Sequence, residues 1–137
     1  MREILFRAKT IDSESKWVEG FYNHIPCGRF QCDEHCIQTI MEDGRIGQLW
    51  NVDENTVGQF TGLTDKNGKK IFEGDIVKHY NNTQHPEQFE IGMVWWNDCH
   101  LCFKRTSYPA SVYVWRGGIY EVIGNIHDHP ELLKEET

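Results

Sequence analysis

A mainly β fold follows from three observations on this sequence. Aromatic side chains make up 12% of its 137 residues, with five Trp, five Tyr and seven Phe, and such side chains favour pleated, half-buried surfaces. Short runs in which apolar and polar residues alternate recur along the chain, separated by turn-forming residues, which is the pattern of strands joined by reversals. Twelve glycines against few alanines point the same way. The expected architecture is a small bent β-barrel-like subdomain, preceded by N-terminal β-hairpins and followed by a short C-terminal helix. A chain of this length suits one domain over 1–137, divisible into N-terminal hairpins (1–51) and a barrel-like core with the terminal helix (52–137). About two thirds of the unfolded surface can be buried at that size, so folding requires neither disulfide nor metal.

The elements follow in order. "EILFRAK" at 3–9 places Ile4, Phe6 and Ala8 on one face of a strand, and "WVEGFY" at 17–22 returns after the polar "DSESK", making the first hairpin. Residues 23–36 read as irregular. "IQTI" and "MEDGRIGQLW" form a second hairpin, with Asp43-Gly44 expected to supply the positive φ angles of a tight reversal. "VDENT" at 52–56 is turn-like, since Asp and Asn side chains can accept from their own backbone two residues on. "VGQFTGL" is a short strand anchored by Val57 and Phe60.

In "DKNGKK", Asn67-Gly68 is the preferred pair for a type I′ turn. Gly74 then interrupts the strand pattern of "IFEGDIVKHY", implying a bulge or bend with Asp75 beside it. Such a bend lets a strand turn the corner of a small barrel spanning about 57 to 125. After the polar "NNTQHPE", the run "QFEIGMVWW" at 88–96 sets Phe89, Ile91 and Met93 on one face. "HLCFKR", "SVYVW" and "IYEVIGNI" supply further strands, the last two joined by "RGG" at 116–118. In "HDHPELLKEE", Pro130 and Glu131 mark the first turn of the terminal helix.

The formal net charge of −7 argues against a duplex-DNA binder, which needs a basic patch to neutralise phosphates. The basic clusters, Lys66 with Lys69 and Lys70 and then Lys104 with Arg105, are small groups at turns. No apolar run approaches the roughly 20 residues of a spanning helix, so a membrane role is not expected. Five cysteines without a secretory leader read as reduced thiols in a cytoplasmic protein.

Three segments carry a resemblance. "VDENTVGQFTGLTDKNGKKIFEGDIVK" at 52–78, "ILFRAKTIDSESKWVEGF" near the start and "YEVIGNIHDHPELL" at 120–133 resemble, in the same order, the YopX-like proteins of bacteriophages and prophages. Together they cover a little under half of the chain. The resemblance implies a small β-rich phage protein without an assigned catalytic set. Where an aromatic residue and then Asn commonly precede the proline of the closing motif, this chain has His127 and His129.

Several constellations were weighed for chemistry. Cys27, Cys32 and Cys36 near His35, with the C-H-L-C pair Cys99 and Cys102 around His100, could close a tetrahedral zinc site, although the gaps in the first group are loose. The plainer alternative is small thiols on a strand and in a loop, and no cofactor is expected. His127-Asp128-His129 could present two imidazoles to a metal, but it reads better as solvated residues at a helix entry. His24, His79 and His85 read as loop or strand-end residues. No G-x-S-x-G elbow surrounds Ser13, Ser15, Ser107 or Ser111, the Cys36–His35 pair is sequence-adjacent rather than assembled across the fold, and no phosphate loop is present.

These readings favour a non-enzymatic phage or prophage accessory protein that acts through protein–protein contacts, as a homo-oligomer or on a host or phage partner. Aromatic content and edge strands that need covering support the oligomer. One alternative is a single-stranded nucleic-acid-binding module using aromatics such as those of "MVWW" and "VYVW". Another is a metal-dependent or thiol enzyme.

Overall fold

The computed structural model describes residues 4–25, 34–80, 84–85, 87, 89–97, 100–105, 112–114 and 119–133. The fold is mainly β and antiparallel. Eleven strands occur in the order β1 (Phe6–Lys9), β2 (Trp17–Ile25), β3 (Glu34–Ile40), β4 (Ile46–Asn51), β5 (Gly58–Thr64), β6 (Lys70–Phe72), β7 (Asp75–Tyr80), β8 (Phe89–Asn97), β9 (His100–Arg105), β10 (Val112–Val114) and β11 (Ile119–Asn125). They form a six-stranded sheet of order β4-β3-β2-β1-β5-β6 and a five-stranded sheet of order β10-β9-β8-β7-β11. The chain divides into two compact units, Met1–Phe60 and Thr61–Thr137, with the division inside β5.

In the first unit β1 and β2 form the N-terminal hairpin, with Ala8 opposite Val18. Residues 23–25 and 34–36, read as irregular from sequence, continue β2 and open β3, where they pair as Asn23↔Cys36, His24↔His35 and Ile25↔Glu34. Ala8, Val18, Ile37 and Val52 are the buried centre, with Phe6, Tyr22, Trp50 and Val57 packed around them. Gly20 lets β2 and β3 approach closely, because a Cβ there would lie 2.0 Å from the Gln38 carbonyl oxygen.

The second unit is built on Ile71, Val77, Val94 and Tyr120, against which Val122 packs. Its five-stranded sheet is open, ending at β10 and β11, so the described strands do not close the barrel expected over 57–125. The sheet consists of consecutive antiparallel neighbours except for β11, which returns to pair with β7. The expected terminal helix is a single 3₁₀ turn, Pro130–Leu133. No described helix is long and apolar enough to cross a membrane.

Both hairpin turns also differ from the expected I′ form. Met41 N–H donates to the Arg45 carbonyl at 2.7 Å and Gly44 N–H to that of Met41 at 2.9 Å. Asp65 N–H likewise donates to Lys69 at 2.7 Å, and Gly68 N–H to Asp65 at 3.0 Å. Gly44 (φ 86°) and Gly68 (φ 82°) have positive φ, while Asp43 and Asn67 do not. Each connection is therefore a three-residue loop, a type I turn closed by a left-handed glycine.

Candidate functional site

The signature stretch forms a frame. Asp65, 7% exposed, accepts from Asn67 N at 2.8 Å and Lys69 N at 2.9 Å through Oδ1, and from Val122 N at 3.0 Å through Oδ2. Burial works against its charge, but those three donors and the nearby Lys69 charge prevail and hold its carboxyl below the usual range. Gly74 (φ 93°) redirects the chain between β6 and β7. Its N–H donates to Val94 O at 2.8 Å and its carbonyl accepts from Ile126 N at 3.0 Å. Asp75, 1% exposed, accepts from Phe72 N at 2.8 Å. Asn67, Gly68, Gly74 and Asp75 thus all lie at reversals whose hydrogen bonds are to backbone.

The closing histidines lie in a turn organised by Asn125, whose Oδ1 accepts from His127 N and Asp128 N, both at 3.0 Å. Asn125 Nδ2 donates to Asp128 Oδ2 at 3.2 Å. Among the described residues no group of three or more His, Cys, Asp or Glu is placed to hold a metal. Cys27, Cys32 and Cys99 fall outside the described residues, and so do the side chains of His100 and Cys102. Cys36 is a free buried thiol on β3, donating to Asn51 Oδ1 at 3.2 Å. Burial, and then Glu34, push that thiol up from its usual value.

A groove of about 500 Å³ opens in the first unit, lined by Ile11, Glu34, His35, Asn51, Val52, Asp53 and Glu54. The segment that forms one wall is pinned on both sides. Val52 N–H donates to the His35 carbonyl at 2.8 Å, Asp53 N–H to Lys9 O at 2.9 Å, and Ile11 N–H to Asn51 O at 3.1 Å. Lys9 N–H completes the clamp on Thr56 Oγ1 at 2.8 Å. Asp53 caps the 3₁₀ turn Glu54–Thr56 by accepting from Asn55 N, two residues on, at 3.0 Å, which is the local bonding that "VDENT" suggests.

At the groove floor His35 is held at both ring nitrogens. Nε2 lies 2.9 Å from Glu54 Oε2, and Nδ1 is hydrogen-bonded to the Tyr22 hydroxyl. A carboxylate only accepts, so Nε2 carries a proton and the neutral ring accepts the Tyr22 O–H at Nδ1. His24, the cross-strand partner, stacks on His35 with centroids 4.3 Å apart and planes 5° from parallel. Burial, then the charge of Glu54 and Cys36, raise the Tyr22 hydroxyl above the ordinary phenol value. Neither Tyr22 nor Cys36 is thereby poised as a nucleophile.

Sequence reading placed His35 in a cysteine set and His24 at a strand end. The relay escaped it because Tyr22, His35 and Glu54 meet only through the β2–β3 pairing, and no short spacing announces that meeting.

The family described as YopX protein matches residues 6–134. Among solved structures, the crystal structure of protein EF1440 from Enterococcus faecalis is similar to this chain at 25% identity and a TM-score of 0.54. That match covers 98% of this chain and 100% of the other. No functionally curated protein matches the chain.

Proposed function

Because the chain belongs to the YopX family, matched over residues 6–134, we propose that it is a non-enzymatic phage or prophage accessory protein that works by protein–protein contact, first of all with its own copies. The placement of exposed apolar side chains carries this reading. Ile4, Ile11, Phe21, Ile40, Met41, Ile46 and Leu49 are exposed in the first unit, against Leu63 and Phe89 in the second. Phe21, Gln38 and Leu49 form one cross-strand row, and Ile40 pairs with Ile46 beside the turn. β4 is an outer strand of its sheet, and an unpaired strand edge with apolar neighbours invites pairing with another chain. Light scattering after size exclusion tests this: the wild type runs as an oligomer, and Ile46→Glu with Leu49→Glu runs as a folded monomer. A wild type that stays monomeric at high concentration overturns the self-association.

A second reading has its own observation. On one face of the second unit Tyr80 pairs with Phe89. Lys66 Nζ lies 5.0 Å from the Tyr80 ring centroid and Lys78 Nζ 4.4 Å from that of Phe89. Aromatic rings flanked by ammonium groups are the parts of a single-strand platform, where bases stack and phosphates pair with the cations. Glu121, 3.5 Å from Lys66, opposes that use. Fluorescence anisotropy with labelled single-stranded DNA decides: salt-sensitive binding weakened by Phe89→Ala supports the platform, and absence of binding at low salt removes it.

A further inference from the structure

The groove floor holds more titratable chemistry than packing needs. His24 and His35 are cross-strand partners, their rings parallel and 4.3 Å apart, and only His35 has an acceptor in place for an added proton. In the neutral ring the Tyr22 hydroxyl donates to Nδ1 and Nε2–H donates to Glu54. On protonation the hydroxyl rotates and accepts from Nδ1–H, while the bond from Nε2–H to Glu54 becomes charge-assisted. No hydrogen bond is lost in that exchange. A proton on His24 would instead face a cation across stacked rings, and like charges at that separation disfavour each other.

The surroundings decide where the first proton goes. Tyr22 and His24 face the ring from β2, and Glu34 and Cys36 flank it on β3. Asp53 and Glu54 come from the 3₁₀ segment, with the Asn51 amide at the end of β4. The nearest described ammonium on these elements, that of Lys16, sits 3.8 Å from the Trp50 ring. Carboxylates therefore dominate the field at His35. Glu54 belongs to the segment that walls the groove, so its grip on His35 ties that wall to β3.

We propose that the His24–His35 pair is a one-proton latch: proton uptake at His35 clamps Glu54 and the 54–56 wall of the groove onto β3, and the pair resists a second proton. The groove is thereby firmer in mild acid than at alkaline pH, and an occupant that requires an open wall is disfavoured by the first proton.

Histidine resonances followed by NMR across pH test the latch in the full chain. In the wild type the two rings titrate in separate steps, at least about one pH unit apart for a pair this strongly coupled. In His24→Gln the remaining His35 titrates in a single step. Amide exchange over residues 54–57, corrected for the intrinsic pH dependence, is slower in mild acid than at alkaline pH in the wild type, and this difference vanishes in Glu54→Gln. Independent titration of both rings in the wild type, or protection at 54–57 that ignores pH there, overturns the latch. Both of those readings need only the wild type, so they stand if a variant fails to fold.

Discussion

The Glu42–Gly44 and Lys66–Gly68 reversals follow the same backbone path and differ in what their aspartates hold. Asp43 is exposed and accepts from Arg45 N at 3.1 Å, a bond inside its own loop. Asp65 is buried and accepts from two loop amides and from Val122 on β11, 57 residues away in sequence. One turn closes a hairpin and stops there. The other fastens the β5–β6 connection to a distant strand. The contrast extends to the surfaces around the turns, since Ile40, Met41 and Ile46 lie exposed about the first, whereas the strands β6 and β7 after the second carry Ile71, Phe72, Ile76 and Val77 fully buried. A turn carrying long-range bonds is built as a structural joint, and a turn ringed by exposed apolar residues is available for contact.

The largest expected effect separates the two aspartates directly. Asp65→Ala leaves three backbone N–H groups without their acceptor, and hydrogen bonds to charged groups are worth about 1.5–3 kcal/mol each. A loss of about 3 kcal/mol or more is expected in chemical denaturation, against less than about 0.5 kcal/mol for exposed Asp43→Ala. Equal losses would erase the distinction. The pH dependence has a definite sign as well. The folded state holds the Asp65 carboxyl below its usual range, so its contribution is complete above the unfolded value near 3.9 and drains away as pH falls through the lower folded value. Urea midpoints measured down that acid range should fall for the wild type and flatten for Asp65→Asn.

These differences mark how far the sequence could be read. Strands with clean alternation, such as β1 and β7, and the punctuating glycines at 44, 68 and 74 were legible, because side-chain period and turn chemistry are local. The family was legible from the long central motif. The barrel was not decided by any local rule: Gly74 announces a bend, while closure depends on whether the outer strands β10 and β11 meet, and they do not neighbour each other in the sheet. A Pro-initiated segment after β11 became a 3₁₀ turn because Asn125 takes up the backbone amides of His127 and Asp128 in a side-chain-capped turn. The stretch 23–36 looked irregular for want of apolar alternation, yet Asn23, His24, His35 and Cys36 pair across β2 and β3. Their polar side chains face the relay and the Asn51 amide, so hydrogen bonding rather than apolar burial satisfies them. The candidate site was hidden for the same reason.

The smallest effect isolates what the two turns share. Gly44 and Gly68 both have positive φ, and a Cβ added at either would meet nothing within 4 Å. The cost of Gly→Val at these positions is therefore conformational rather than steric against neighbours, on the order of 1–2 kcal/mol for a left-handed residue with a branched side chain. The same penalty is expected at both sites in thermal unfolding, even though their aspartates differ in cost several-fold. An unchanged melting temperature for Gly68→Val would refute the left-handed assignment. A much larger loss at 68 than at 44 would mean that the substitution also drags Asp65 off Val122. Combining Gly68→Val with Asp65→Ala then discriminates: additive losses keep backbone path and buried carboxylate as separate devices, whereas a double variant no worse than Asp65→Ala alone makes them one.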